Sequence, residues 1–458
     1  MALGTRGFPV VIVSMLTSGL ASGLTAGGCG GGGVAQGSGG DESSSDPTAD
    51  PSGTSSGPGT AGTTATTATT ATSAPGDSSS EDGGDDGPGP GNFDVGFIPD
   101  VPEVACGGKG GGKGGGGGGN VELAYIWIAN SAQSTVSKIN TDTMEEEGRY
   151  QAKPAGGDPS RTSVNLNGDV AVANRNGGVA KFWANTADCG ESNGDPGLQT
   201  STGTNDVLPW DQEECRAWYS PFACSSNRPV AWTRGEWNES TCSYENEKLW
   251  TVCDSEVLLL DGDDGTTEQV IDVGGGTFMY GGAADADGNF WGLDLGTGRL
   301  IRVDHEDYTT LTFGLPPSGA YGITVDKEGR PWVCSSTVAR FNLDTSDWSV
   351  SPDNSGGGGC MTDGNATIWH GTGNAMVGFD TETLELLYTI PLPEYVHGIS
   401  VDFAGKVWGV GIRSSNAYRA DPETLEVTTF NQLVGAYTYS DMTGFQLSSA
   451  GGGGVPQG

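Results

Sequence analysis

The feature that most limits what this chain can fold into is a unit of roughly forty residues that returns along its last three quarters. The clearest copy is Ala320–Asn342, AYGITVDKEGRPWVCSSTVARFN. Ile323, Val325, Trp332 and Val333 are strand formers in partial alternation. Asp326 to Gly329 lies between them as a tight turn in which glycine accepts positive φ. The pattern returns as YGGAADADGNFWGLD from Tyr280 and HGISVDFAGKVWGVG from His397, and more loosely as SRTSVNLNGDVAVAN from Ser160 and GGCMTDGNATIWHG from Gly358. Trp291, Trp332, Trp369 and Trp408 follow one another at intervals of 41, 37 and 39 residues. That is the period of a four-stranded propeller blade. A third strand follows each tryptophan and ends at Asp304, Asn342, Asp380 or Asp421.

Second strands around Trp127, Val170, Trp250, Trp291, Trp332, Trp369 and Trp408 make seven blades. First strands number six, near Ser160, Arg228, Tyr280, Tyr321, Gly358 and His397. The blade around Trp127 has no first strand before it, and Tyr439–Leu447 has no second strand after it. The two defects cancel if the C-terminal stretch is the innermost strand of the first blade, which also removes a sheet edge. The expected fold class is all-β: a seven-bladed β-propeller closed by a C-terminal strand and preceded by a signal peptide and a disordered linker.

In chain order, residues 1–28 read as an export signal: Arg6, then the apolar PVVIVSML, then small residues up to Cys29. The apolar run is too short for a membrane span. Leu24 to Cys29, LTAGGC, resembles a bacterial lipobox, in which the cysteine is acylated and becomes the new N-terminus. Ala26 stands where that pattern usually has leucine. Cleavage after Ala26 is the other reading of the same residues. Residues 29–120 are lipid-anchor cysteine and low-complexity linker, with TTATTATTAT in the middle and GGKGGGKGGGGGG at the end. All 12 Trp and all 12 Tyr lie beyond residue 120, so the linker has almost nothing to bury. The glycine run is followed by no helix and preceded by no strand, so it is not a phosphate loop. The propeller occupies 121–447, and 448–458 read as a disordered tail.

Within 121–447 there are 46 Asp and Glu against 18 Lys and Arg. That balance disfavours nucleic acid and anionic membrane surfaces as partners. The expected setting is the cell envelope, as an outer-membrane or cell-surface lipoprotein whose only membrane partner is reached through its lipid anchor. It is expected to be a monomer.

A Cys-rich excursion, 185–248, interrupts the repeats between the second and third blades. Eight cysteines remain beside Cys29: Cys106, Cys189, Cys215, Cys224, Cys242, Cys253, Cys334 and Cys360. An even number in an exported chain reads as disulfides, whose connectivity the spacing does not choose. Cys334 ends a second strand and Cys360 lies in the next blade's first strand, which favours that bridge. The five from Cys189 to Cys253 are expected to pair mainly among themselves, with Cys106 taking the odd one. No CxxC pair or histidine cluster supports zinc, and no metal site is expected; His305, His370 and His397 are the only histidines. DGDDG at Asp261–Gly265 is similar to a calcium loop but lacks the full spacing and the later glutamate, and reads as an acidic turn.

In a propeller the innermost strands begin at one mouth of the channel. Their leading residues here include Arg161, Arg228, Tyr280, Tyr321, His397 and Tyr439, with His370 at the end of a second strand facing the same mouth. Aromatic, arginine and histidine side chains on a concave mouth suit ligand binding. The competing reading is that the tyrosines plug the channel and the histidines cap backbone groups.

YGITVDKEGRPWV and HGISVDFAGKVWGV resemble the repeats of the streptogramin (virginiamycin B) lyase family and related NHL-type propellers, over roughly 120–447. The resemblance implies a propeller, and an elimination that opens a cyclic depsipeptide with magnesium, using a channel-mouth histidine and a second base. His397, with His370, would fill those roles. The family's second strands read Trp-Phe-Thr-Glu. Here Asp294 is the only acidic residue at the glutamate position, the others being Ser335, Thr372 and Gly411. The leading expectation is therefore a binding module for a peptide, glycan or protein ligand, without catalytic residues or cofactor. The alternative is a lyase or hydrolase at His370 and His397 that uses magnesium.

Overall fold

The computed structural model describes residues 123–274 and 278–450. Cys29, Cys106, the export signal and the linker lie outside the described residues. Seven antiparallel sheets follow one another along the chain. Blade 1 has the strands Tyr125–Asn130, Thr135–Asn140 and Glu146–Gln151. Blades 2 to 7 are four-stranded, with inner strands Pro159–Val164, Val230–Trp232, Met279–Ala284, Gly322–Val325, Cys360–Thr362 and Val396–Val401. The all-β, seven-bladed propeller is the fold.

The Asp-to-Gly turn does more than reverse the chain. In blade 5 Asp326 accepts the backbone N–H groups of Glu328 and Arg330, while its other oxygen accepts Trp332 Nε1 at 2.8 Å. Asp285 holds Trp291 and Asp402 holds Trp408 in the same way, each at 2.9 Å. A buried tryptophan is most stable when its indole N–H finds an acceptor. Here the preceding turn supplies one, so turn and core position come as a unit. Trp127 and Trp250 instead donate across to the turns of the following blades, at Gly168 and Gly288. These indoles are fully buried, each covering apolar surface worth on the order of 5 kcal/mol. They belong to apolar clusters between adjacent blades, such as Trp332, Val338, Ile368 and Phe379 between blades 5 and 6.

The Cys-rich excursion resolves into separate parts. Arg216–Ser220 is the outer strand of blade 2, and Glu236–Asn238 pairs with Ser243–Glu245 as a hairpin inserted into blade 3. Disulfides join Cys189 to Cys215, Cys224 to Cys253, and Cys334 to Cys360. The bridge favoured between blades 5 and 6 is thus present, and Cys242, the odd one of the five, is also disulfide-bonded. Three bridges between described residues mark an oxidising, extracytoplasmic setting. Asp261 in the DGDDG turn receives Lys248 Nζ at 2.7 Å and the N–H of Asp263. Among the described residues no helix is long and apolar enough to cross a membrane.

Closure differs in form from the expected strand. The C-terminal segment does lie along the inner edge of blade 1: Ala436 bridges Asn130, Tyr437 N–H donates to Ala129 O at 3.1 Å, and Trp127 N–H donates to Met442 O at 2.9 Å. Five steps from Tyr437 to Met442 therefore match two from Ala129 to Trp127, and the extra length bows inward to the channel. Residues Phe445–Ala450 are then helical, not extended. Gln446 reaches across this end of the channel to Ala284 O and Val325 O. Asp441 caps the helix by accepting the N–H groups of Gly444 and Leu447. A side chain at Gly398 would collide with the Thr438 carbonyl, so that glycine lets the closing segment pass.

Candidate functional site

The bow in the closing segment builds the upper mouth of the channel. Tyr439 is buried at its centre and donates its hydroxyl toward Tyr280 O and Tyr321 O, at 3.3 and 3.2 Å. Above it, the hydroxyls of Tyr280, Tyr321 and Tyr437 form a triangle, with separations of 2.7 Å (Tyr280 to Tyr321), 2.5 Å (Tyr280 to Tyr437) and 3.2 Å (Tyr321 to Tyr437). The rings come from blade 4, blade 5 and the closing segment, so the layer exists only once the ring has closed.

His397 completes this layer. Its Nε2 shares a hydrogen bond with Tyr321 Oη at 2.7 Å and its Nδ1 with Tyr395 Oη at 3.1 Å. Burial, with the Arg161 guanidinium nearby, pushes the imidazole down to about 3, so it is neutral at ordinary pH. Burial raises the Tyr280 hydroxyl and takes Tyr395 up to about 12. Burial pushes Tyr437 upward too, but hydrogen bonds from Tyr280 and Tyr321 and the fields of Arg161 and Arg228 outweigh it and leave that hydroxyl below the usual tyrosine value.

Three guanidinium groups enclose the tyrosines. Arg161 lies over Tyr439, its Cζ 3.2 Å from the ring centroid, and 5.0 Å from that of Tyr280. Arg228 is 4.9 Å from the Tyr280 centroid, and Arg175 is 4.6 Å from that of Tyr437. Arg161 is fully buried and gives two hydrogen bonds to carbonyls, of Ser160 and Tyr280. Cation–π contact offsets part of the cost of burying such a charge.

Arg161, Arg228, Tyr280, Tyr321, His397 and Tyr439, picked out in the sequence, are thus brought together. His370 is not among them. It is fully buried, its Nδ1 shares a hydrogen bond with Ser355 Oγ at 2.7 Å, and no ring contact or hydrogen bond links it to the tyrosine layer. Burial outweighs the ring's interaction with the Gly358 carbonyl and pushes it down to about 4. It lies where it can hold the loop carrying Ser355, beside the bridged Cys360 with which it is paired across the blade. Three members of the site, Tyr437, Tyr395 and Arg175, were not identified in the sequence. Tyr395 stands two residues ahead of His397 and was within reach of the same strand argument. Tyr437 and Arg175 carry no repeat signal.

The magnesium implied by the lyase resemblance does not fit this mouth. The groups facing His397 are phenols and the Arg161 guanidinium, whereas magnesium takes carboxylate and water oxygens and is repelled by fixed cations. Among the described residues no group of three or more His, Cys, Asp or Glu is placed to hold a metal ion.

No protein-family model and no curated protein matches the chain. Among solved structures, a protein from Lactobacillus plantarum aligns with a TM-score of 0.50 at 9% identity, over 69% of this chain and 98% of that one. A streptogramin B lyase aligns with a TM-score of 0.46 at 17% identity, over 64% of this chain and 89% of that one. Virginiamycin B lyase from Staphylococcus aureus aligns with a TM-score of 0.37 at 17% identity, over 45% and 69%. The resemblance to the lyases seen in the repeats is a resemblance of fold.

Proposed function

We propose that this protein is an extracytoplasmic recognition module that holds its ligand on the channel mouth formed by Tyr280, Tyr321, Tyr437 and Arg228. The supporting observation is the tyrosine layer itself. Its hydroxyls already satisfy one another, and the plug beneath gives it a rigid floor, so a ligand would meet a surface that loses little entropy on binding. Tyr321 and Tyr437, partly exposed beside the buried Tyr280, bring large contact area with a polar tip, the combination found at recognition surfaces. The ligand is a peptide, glycan or protein segment. A lipid on Cys29 and the long linker would hold the propeller clear of the membrane, in keeping with an outer-membrane or cell-surface lipoprotein.

The lyase alternative asks His397 to act as a base. Both of its ring nitrogens are already engaged by tyrosines, and the side chain is buried. A single acid–base group contributes about 10² to 10⁴ in rate, which is little without a second. The test is a glycan and peptide binding panel on the propeller, repeated with Tyr437→Ala. Binding that Tyr437→Ala abolishes without loss of folding supports the proposal. Magnesium-dependent linearisation of a streptogramin B that disappears in His397→Ala would replace it with the lyase reading.

A further inference from the structure

Arginine pairing is uneven over this molecule. Arg149, Arg299, Arg302, Arg330, Arg340 and Arg419 each have a carboxylate partner. At the mouth, Arg175 pairs with Asp158, but Arg161 and Arg228, like Arg216, Arg234 and Arg413 elsewhere, form no ion pair with a carboxylate among the described residues. Arg161 Nε and Arg228 Nε and Nη1 are buried and without any hydrogen-bond partner. A chain of net charge −37 has no shortage of carboxylates to place there. Leaving buried guanidinium N–H groups unpaired costs stability. Both guanidinium groups approach the same ring, Tyr280, at 5.0 and 4.9 Å, so their unspent positive charge converges on one spot.

We infer that the mouth is a binding site for a carboxylate, held by Arg228 and Arg161 against the faces of Tyr280 and Tyr437. This rests on the recognition reading above and names the group recognised. A guanidinium with free N–H groups binds a carboxylate through short, charge-assisted hydrogen bonds. The acidic domain surrounding the site opposes a dianion or a polyanion more than a single negative charge. One carboxylate, on an otherwise neutral and partly apolar ligand, therefore suits the site best. Such a group ends a peptide chain and also marks a sugar acid.

The experiment titrates the exported protein by calorimetry with hippurate, as a peptide end, and glucuronate, as a sugar acid. Methyl hippurate is the neutral control and inorganic phosphate the competing oxyanion. Saturable binding of hippurate or glucuronate, weakened at least tenfold by Arg228→Gln and unchanged by Arg340→Gln, is expected. Whichever of the two binds identifies the source. The melting temperature of Arg228→Gln should equal or exceed that of the wild type, because the residue lost is an unpaired cation; a structural arginine would show a fall. No saturable binding of either carboxylate, phosphate binding instead, or affinity indifferent to Arg228→Gln would overturn the inference. Methyl hippurate binding as well as hippurate, and depending on Tyr437 alone, would leave recognition at the mouth standing and remove the carboxylate.

Discussion

His397 makes a quantitative test of how closed the tyrosine layer is. Burial and the Arg161 charge lower its pKa from 6.5 to about 3. In the unfolded chain the imidazole takes up a proton below pH 6.5, whereas in the folded protein it stays neutral until the pH approaches 3. The stability it contributes is therefore complete above pH 6.5 and is lost progressively as pH falls through that window. At pH 5 the loss is about 2 kcal/mol, from 1.5 pH units at about 1.36 kcal/mol each. Over the full window it is about 5 kcal/mol. His370, lowered to about 4, acts in the same direction. Asp441 acts the opposite way. Burial pushes it up to about 6, so its folded state holds a proton that the unfolded state has released, and that contribution is lost as pH rises through 6. Comparing wild type with His397→Gln cancels the terms common to both. Urea denaturation at pH 8 and pH 5 should show wild type losing about 2 kcal/mol more than the variant on acidification. Equal losses would mean that His397 titrates as a solvated ring, and the layer of Tyr321, Tyr395 and Tyr437 does not seal it.

Removing residues 437–458 takes away the inner edge of blade 1, Tyr439 at the channel centre and the Gln446 link across its far end, so soluble folded protein should be lost on expression; a truncated protein that melts like wild type would refute the closure. Asp326→Ala leaves a buried indole N–H and two turn N–H groups without their acceptor and should lower stability by about 3 kcal/mol in urea, with a loss below about 0.5 kcal/mol counting against the turn–tryptophan unit. Cys29→Ser should move the protein from the membrane to the soluble fraction; a variant that still sediments with membranes, from a wild type lacking acyl mass, would rule out the anchor.

The propeller was legible in the chain because its blades are local. A turn aspartate, a glycine three residues on and a tryptophan three beyond that are close in sequence, and the hydrogen bond that joins Asp326 to Trp332 spans only six residues. Repetition then multiplies a modest local signal, and the mismatch between first and second strands revealed that the C-terminus must close the ring. The Cys334–Cys360 bridge followed from the same register, since Cys334 ends the second strand of blade 5 where Cys360 begins the inner strand of blade 6. The mouth is different in kind. Tyr437 meets Tyr280 across 157 positions and Tyr439 reaches the Tyr321 carbonyl across 118, through a bow that no alternation announces. Whether a tyrosine there paves a mouth or plugs a channel depends on how many residues the closing segment uses to pass blade 1, and that number is set by packing against Gly398 and the inner strands. His370 lies on the second strand of blade 6 and His397 on the inner strand of blade 7; one meets Ser355 and the other Tyr321, because the neighbours of a side chain are decided by what each strand faces in the closed ring. Sequence periodicity determined which residues form the blades; the convergence of seven blades on one axis decided which of them face each other.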